Sequence, residues 1–320
     1  MFLCFAIFFQ MSYVYATVHN ATIQPLPNRQ IGMYLLLADD TVPNYTSTNY
    51  WKPSLYQYQK SGANVLYFTF INPTNLSIPP AFASLSQTLR KDTNRPTILF
   101  AIGGYSYSNK PNPWPFLSSK SAAEAMAQVV ATWPSLYGCD GIDLDIEVGA
   151  GSSLEASTNI VYFVQKINQL NPKMIITQPV FGYPQVKAET FMINSAFNYN
   201  ISTRPIINAI GIMVYSETNS LQYLKNYVNG SSQWNGFPIH VNVPQTKVIC
   251  GIGGAATRKE LNIFVNEIKN NNIRGVMVWY ASVIDSKTNK SAIQYSGGGP
   301  DASNKKTIKM WEVALREINN

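Results

Sequence analysis

Gly138–Gly149 reads GCDGIDLDIEVG and sets Asp140, Asp143, Asp145 and Glu147 inside an apolar run. Successive side chains of a strand point to opposite faces. Asp143, Asp145 and Glu147 therefore share one face, and Ile142, Leu144 and Ile146 share the other. Like charges ~6–7 Å apart along a strand push each other's pKa apart, so that one carboxyl holds a proton near neutral pH. Glu147 is last in the file, nearest the strand's end, where a substrate reaches it. This is the layout of a general acid with supporting carboxylates behind it. The alternative is a metal-binding or purely structural acid cluster. Acids around a hard cation usually come from loops with interspersed Gly and Asn. The spacers here are Ile and Leu, which suit a parallel strand covered by helices.

Seven similar runs flank this one. Before it come Ile31–Ala38, Ala63–Ile71 and Thr97–Gly104. After it come Lys173–Val180, Ile206–Tyr215, Lys247–Gly254 and Arg274–Ala281. Continuous apolar character of this length marks parallel strands buried on both faces. Helical stripes lie between them: Ile160, Val161, Phe163, Val164, Ile167 and Leu170 after the fourth run, and Leu261, Phe264, Val265 and Ile268 after the seventh. Ser118 or Ser119 is placed to cap an Ala-rich helix. A last helix is expected over residues 302–318. Eight strands alternating with helices predict an α/β fold, a single (β/α)8 TIM barrel over residues 17–320. A monomer is expected.

Barrel active sites collect at the C-terminal ends of the strands. The second strand offers Tyr67 and Phe70 there, and the third offers Gly103, Gly104 and Tyr105. The fourth offers the acid file, and the fifth Gln178. Met213, Tyr215 and Glu217 come from the sixth, and Trp279 from the eighth.

The chain has 320 residues, 46% hydrophobic and only 13% charged, which argues against disorder. Its net charge of +7 is scattered, with no basic run longer than a pair, so no nucleic-acid partner is expected. Residues 1–16, MFLCFAIFFQMSYVYA, read as a signal peptide, short for a membrane span. A retained N-terminal anchor is the alternative. Asn20, Asn44, Asn75, Asn200, Asn229 and Asn289 each begin an N-x-S/T sequon, in keeping with a secreted, extracellular glycoprotein that has no membrane segment after signal cleavage. Cys139 and Cys250 fall in separate apolar stretches and are expected to be free. His19 and His240 are the only histidines, too few for a Ser-His-Asp triad or a His-rich zinc site. No metal or other cofactor is called for, and any hydrolytic chemistry falls to carboxylates. Gly251–Ala256, GIGGAA, fits the dinucleotide pattern G-x-G-x-x-A. Its place at the seventh strand suits glycines that let a barrel strand end pack closely.

DGIDLDIE resembles the D-G-x-D-x-D-x-E signature of glycoside hydrolase family 18, the chitinases and their relatives. The resemblance implies that Glu147 is the proton donor, that Asp145 orients the substrate's N-acetyl group, and that Asp143 is its buried partner. AIGG at Ala101–Gly104 is similar to the family's S-x-G-G motif, with Ala101 in place of Ser. IMVYS at Ile212–Ser216 is similar to M-x-Y-D/N, with Ser216 in place of the acid or amide. Trp279 matches the tryptophan under the cleaved sugar, and Gln178 falls where some members place a polar residue facing the acetamido group. The family's chemistry is substrate-assisted and retaining. The implied protein is a secreted hydrolase of β-1,4-N-acetylglucosamine linkages in chitin or chitooligosaccharides. Only about 20 residues join the last two strands, where larger relatives insert a domain. This compact form implies an open cleft and internal cuts. The alternatives are an endo-β-N-acetylglucosaminidase on N-glycans, a two-carboxylate glycosidase with Glu217 as nucleophile, and a non-catalytic chitin-binding lectin.

Overall fold

The computed structural model describes residues 22–37, 62–107, 114–147, 153–182, 187–198, 206–215, 220–230, 239–253, 258–281, 284–285, 290–291, 313 and 316–318. The signal segment, His19, Ser216, Glu217 and most of the expected last helix lie outside them. So do the sequons at Asn20, Asn44, Asn200 and Asn289.

The chain closes into an eight-stranded parallel barrel in sequence order. Its strands are β1 (Gln30–Leu36), β2 (Val65–Ile71), β3 (Thr97–Gly103) and β4 (Gly141–Asp145). They continue with β5 (Ile175–Phe181), β6 (Ala209–Met213), β7 (Val248–Gly253) and β8 (Gly275–Ala281). β8 pairs with β1, from Gln30 against Gly275 to Leu35 against Ala281, and this pairing closes the ring. Helices α1 (Pro80–Leu89), α2 (Lys120–Val130), α3 (Trp133–Tyr137), α4 (Leu154–Leu170), α5 (Lys187–Ala196), α6 (Ser220–Val228) and α7 (Arg258–Asn270) connect the strands. A two-stranded ribbon, β9 (Ile284–Asp285) and β10 (Lys290–Ser291), follows β8. This is the predicted (β/α)8 barrel.

The expected stripe on α7 is buried throughout and that on α4 in the main, with Val161 and Leu170 only half-buried. Ile160, Phe163, Val164 and Ile167 are buried on α4, and Leu261, Phe264, Val265 and Ile268 on α7. Ser119 is the cap of α2, its hydroxyl accepting the Ala122 N–H at 3.1 Å. Ser153 does the same for α4, from Ala156 N–H at 3.0 Å. Each cap satisfies one of the donors that a helix start leaves open. Cys139 and Cys250 are both free and buried.

Neighbouring strands are tied in pairs at the bottom of the barrel by one repeated device. The residue just before β2, β4 and β6 turns its side chain onto the preceding strand. Asn64 Oδ1 accepts the Ile31 N–H at 2.8 Å, Asp140 Oδ2 accepts the Ile98 N–H at 2.9 Å, and Asn208 Oδ1 accepts the Ile176 N–H at 2.8 Å. Asp140 is also paired with Arg95, whose Nη1 and Nη2 reach its two oxygens at 2.5 and 2.8 Å. The first acid of the DGIDLDIE run is thus a structural brace, far down the strand from the rest.

Space in the lumen is shared out by glycine. Met277 fills the centre of the barrel, and a Cβ at Gly211 would lie 2.3 Å from its Sδ. Gly251 is as tight, with 2.6 Å to the Ile212 carbonyl and 2.9 Å to Met277 Cε. This close approach accounts for Gly251, the first glycine of GIGGAA, inside β7. At Gly141 the neighbour is backbone, since a Cβ would stand 1.9 Å from the Ile175 carbonyl oxygen. A strand cannot yield as a methionine side chain can. Gly141→Ala is expected to cost about 3 kcal/mol or more, the upper range for overpacking. Chemical denaturation checks this, and a loss under about 1 kcal/mol would contradict it.

Candidate active site

The upper half of the lumen holds the acid file. Asp143 and Asp145 both point inward from β4 and are buried. Glu147 lies two residues past the strand's end and is partly exposed, the most accessible of the three. Two glycines with positive φ shape this corner. Gly103 (φ 103°) would place a Cβ 2.2 Å from the Asp145 carbonyl oxygen, and Gly104 (φ 82°) would place one 2.6 Å from the Phe70 ring. Freed of side chains, the β3 end crosses close over β4. There Gly104 N–H donates to the Asp145 carbonyl at 2.9 Å. The next residue, Tyr105, donates its backbone N–H to Glu147, while its ring stands 77% exposed at the rim.

Asp143 is held on both oxygens. Tyr34 OH donates to Oδ2 at 2.8 Å, and Thr177 Oγ1 donates to Oδ1 at 2.5 Å. Burial nonetheless pushes its carboxyl up to about 6, with the two hydroxyls pulling the other way. Asp145 is raised well above the carboxylate range, first by burial, then by the charges of Glu147, Asp143 and Glu189. Its Oδ1 is buried and receives no hydrogen bond among the described residues. Burial pushes Glu147 up to about 7 against the opposing Tyr105 N–H. Burial and the Asp145 charge hold Tyr215, at the end of β6, as a neutral phenol.

Aromatic rings wall the mouth. Trp279 packs against Phe70, with centroids 5.4 Å apart, and edge-on against Tyr34 at 5.7 Å. Tyr34 in turn stacks on Tyr67 at 4.2 Å. Met213 packs against the same lumen cluster from β6. Among the described residues, no group of three His, Cys, Asp or Glu side chains is placed to hold a metal ion.

Closely similar architectures occur among solved structures. A chitinase from Rhizomucor miehei matches with a TM-score of 0.58 at 14% identity, covering 89% of this chain and 100% of that one. The catalytic domain of a family GH18 chitinase from the fern Peteris ryukyuensis gives 0.55 at 14%, covering 89% and 98%. A Pyrococcus furiosus chitinase domain, solved as active-site mutants with chito-oligosaccharides, gives 0.57 at 12%, covering 93% and 96%. The fold is that of chitinase catalytic domains. No protein-family model matches the sequence, and comparison with curated protein sequences finds no match.

Within this chitinase fold, Asp143, Asp145, Glu147, Tyr215, Trp279, Phe70, Met213, Gly104 and Tyr105 gather at the C-terminal mouth. Gln178 does not. Its neighbour Thr177 points inward to Asp143, so alternation along β5 turns Gln178 outward to the helix layer, where it is fully buried. The expectation that it faces an acetamido group is corrected accordingly. Glu217 lies outside the described residues. The sequence reading passed over Tyr34 and Thr177. The only available signal was a hydroxyl at one inward position of the first run and one of the fifth.

The buried file carries a stability cost with a definite sign. Near pH ~2, well below the ordinary carboxyl range, the three carboxyls are protonated in both the folded and the unfolded chain. As pH rises the unfolded chain ionises first, and stability falls until the folded pKa is passed. For Asp143, at about 6 against an ordinary 3.8, the loss is about 3 kcal/mol above that point. Glu147 contributes in the same direction, by less because it is partly exposed. Glu147→Gln is therefore expected to raise the thermal midpoint at about pH 8 and leave it unchanged at about pH 2. An equal shift at both pH values, measured by calorimetry, would rule out burial as the cause.

Proposed function

We propose that this protein is a glycoside hydrolase that cleaves β-1,4-linked N-acetylglucosamine in chitin or chitooligosaccharides by retaining, substrate-assisted catalysis. The observation that carries the reading is the file itself. Three carboxyls rise from buried to partly exposed toward the mouth, and the last is pushed up to about 7. Glu147 then holds a proton where a glycosidic oxygen can take it. Asp145 Oδ1, which has no partner among the described residues, suits an amide N–H, and the phenol of Tyr215 suits the carbonyl of the same acetamide. Held between them, the acetamide carbonyl attacks the anomeric carbon as the aglycone leaves with the proton from Glu147. The oxazolinium ion that forms is opened by water, which Glu147 deprotonates, and the configuration is retained. Preorganised charge and positioning supply much of the rate. Trp279 gives the sugar face an apolar floor.

The likeness to chitinase domains in fold, one of them solved with chito-oligosaccharides, supports the substrate class. The sequons and the apolar first 16 residues support secretion. The deciding experiment offers the secreted protein acetylated and fully deacetylated chitooligosaccharides side by side, with N-glycans as a third arm. Cleavage of the acetylated series alone, with inhibition by a thiazoline mimic of the intermediate, is the expected result. Deacetylation removes the nucleophile, so its effect appears in kcat and not only in KM. Brisk cleavage of the deacetylated series without thiazoline inhibition would favour the two-carboxylate alternative through Glu217. Oligosaccharide binding with no cleavage would favour a lectin.

A further inference from the structure

We propose that Thr177 is a positioning residue for this reaction: its hydroxyl, acting on Asp143, keeps the proton of the carboxylate file at its outer end. The proposal rests on the functional reading above. Asp143 has a register partner on each side, Ala101 on β3 and Thr177 on β5. Neighbouring strands lie ~4.8 Å apart, so either partner is within reach of its carboxyl. The β3 partner offers only a methyl group. The β5 partner donates a hydrogen bond of 2.5 Å to Oδ1, between two buried side chains. With Tyr34 on Oδ2, the carboxylate is clamped from two strands and cannot turn. A β-branched side chain restricts the rotation of the Thr177 hydroxyl in its turn.

The groups that face Asp143 are Tyr34 from β1, Tyr67 from β2, Asp145 from its own strand and Tyr215 from β6. No cation is among them in the described residues. Hydroxyl donors are thus what favours its charged form. A charged Asp143 raises Asp145, which obliges the Asp145–Glu147 pair to keep its proton. Without the Thr177 hydroxyl, Asp143 takes up a proton at higher pH than before, its charge is lost sooner as pH falls, and the outer pair is less strongly protonated.

The test uses three variants, Thr177→Val, Thr177→Ser and the double variant Ala101→Ser/Thr177→Val. Each is measured for kcat and KM on a chitooligosaccharide. Each is also measured, without substrate, for the titration midpoint of Asp143 by carboxyl-carbon NMR. Thr177→Val keeps the shape and removes the donor. It is expected to lower kcat about tenfold, the equivalent of ~1.4 kcal/mol and of one hydrogen bond, with KM within about twofold. The Asp143 midpoint is expected to move to higher pH. Thr177→Ser keeps kcat within about twofold, and the double variant recovers most of the loss by moving the hydroxyl to the other flank. An unmoved midpoint in Thr177→Val, or a loss of kcat that neither serine restores, overturns the proposal. Should Thr177→Val fail to fold, Thr177→Ala with and without Ala101→Ser takes its place. If the wild-type protein cleaves no oligosaccharide, the functional reading fails on its own. The Asp143 midpoint still decides whether Thr177 governs that carboxyl.

Discussion

Glu147→Gln is expected to lower turnover of chitooligosaccharides by 10²–10⁴-fold, the range for losing a positioned general acid. The substitution keeps the size of the side chain and its place two residues beyond β4, where the Tyr105 backbone reaches it. Only the transferable proton goes. Binding is expected to stay within a few-fold, because Trp279, Tyr215 and Asp145 are untouched. Initial rates beside calorimetric binding separate the two effects. A loss of only about tenfold in kcat would remove Glu147 from the role of acid.

Asp145→Asn is expected to cost about 10²-fold, as removal of one preorganised charge does elsewhere. It also changes the shape of the pH profile. Asp145 and Glu147 titrate as a pair, and the pair's second proton is retained to high pH by like-charge repulsion in a buried site. With asparagine at 145 the upper step vanishes and Glu147 titrates by itself, without a neighbouring carboxylate to hold a proton at higher pH. The alkaline limb of kcat/KM therefore moves to lower pH. A limb that stays in place or rises would mean that the two carboxyls do not share their protons. Together with the stability profile of Glu147→Gln, this measures one electrostatic quantity in two ways, since the burial that destabilises the file at alkaline pH also keeps its acid protonated.

Much of this was legible in the chain itself. Eight apolar runs separated by helical stripes specify a parallel sheet covered by helices, because only strands buried on both faces read as unbroken apolar sequence. Closure into a ring then follows from the count and order. The inward file of Asp143, Asp145 and Glu147 was readable because strand alternation is fixed by backbone geometry. Phe70, Tyr105, Tyr215 and Trp279 were readable as rim residues because each lies within two residues of the end of a run.

The same burial on both faces hid the rest. A strand covered on two sides carries no polar-apolar alternation to mark which side is the lumen. Gln178 and Thr177 are adjacent, both polar and both fully or nearly fully buried. Nothing local says that the threonine turns in and the amide turns out. That is settled by Asp143, 34 residues earlier, and by the ring that brings β4 and β5 together. Tyr34, 109 residues from its carboxylate, joins the site only through closure. Asp140 sits in the same acidic run as the catalytic candidates, yet Arg95 and the Ile98 amide claim it at the opposite end of the barrel. Local sequence determined which residues form strands and which carboxyls line up along one of them. Tertiary structure alone decided which hydroxyls and charges those carboxyls meet, and so which of them keep a proton, because burial and partners from distant strands set a pKa.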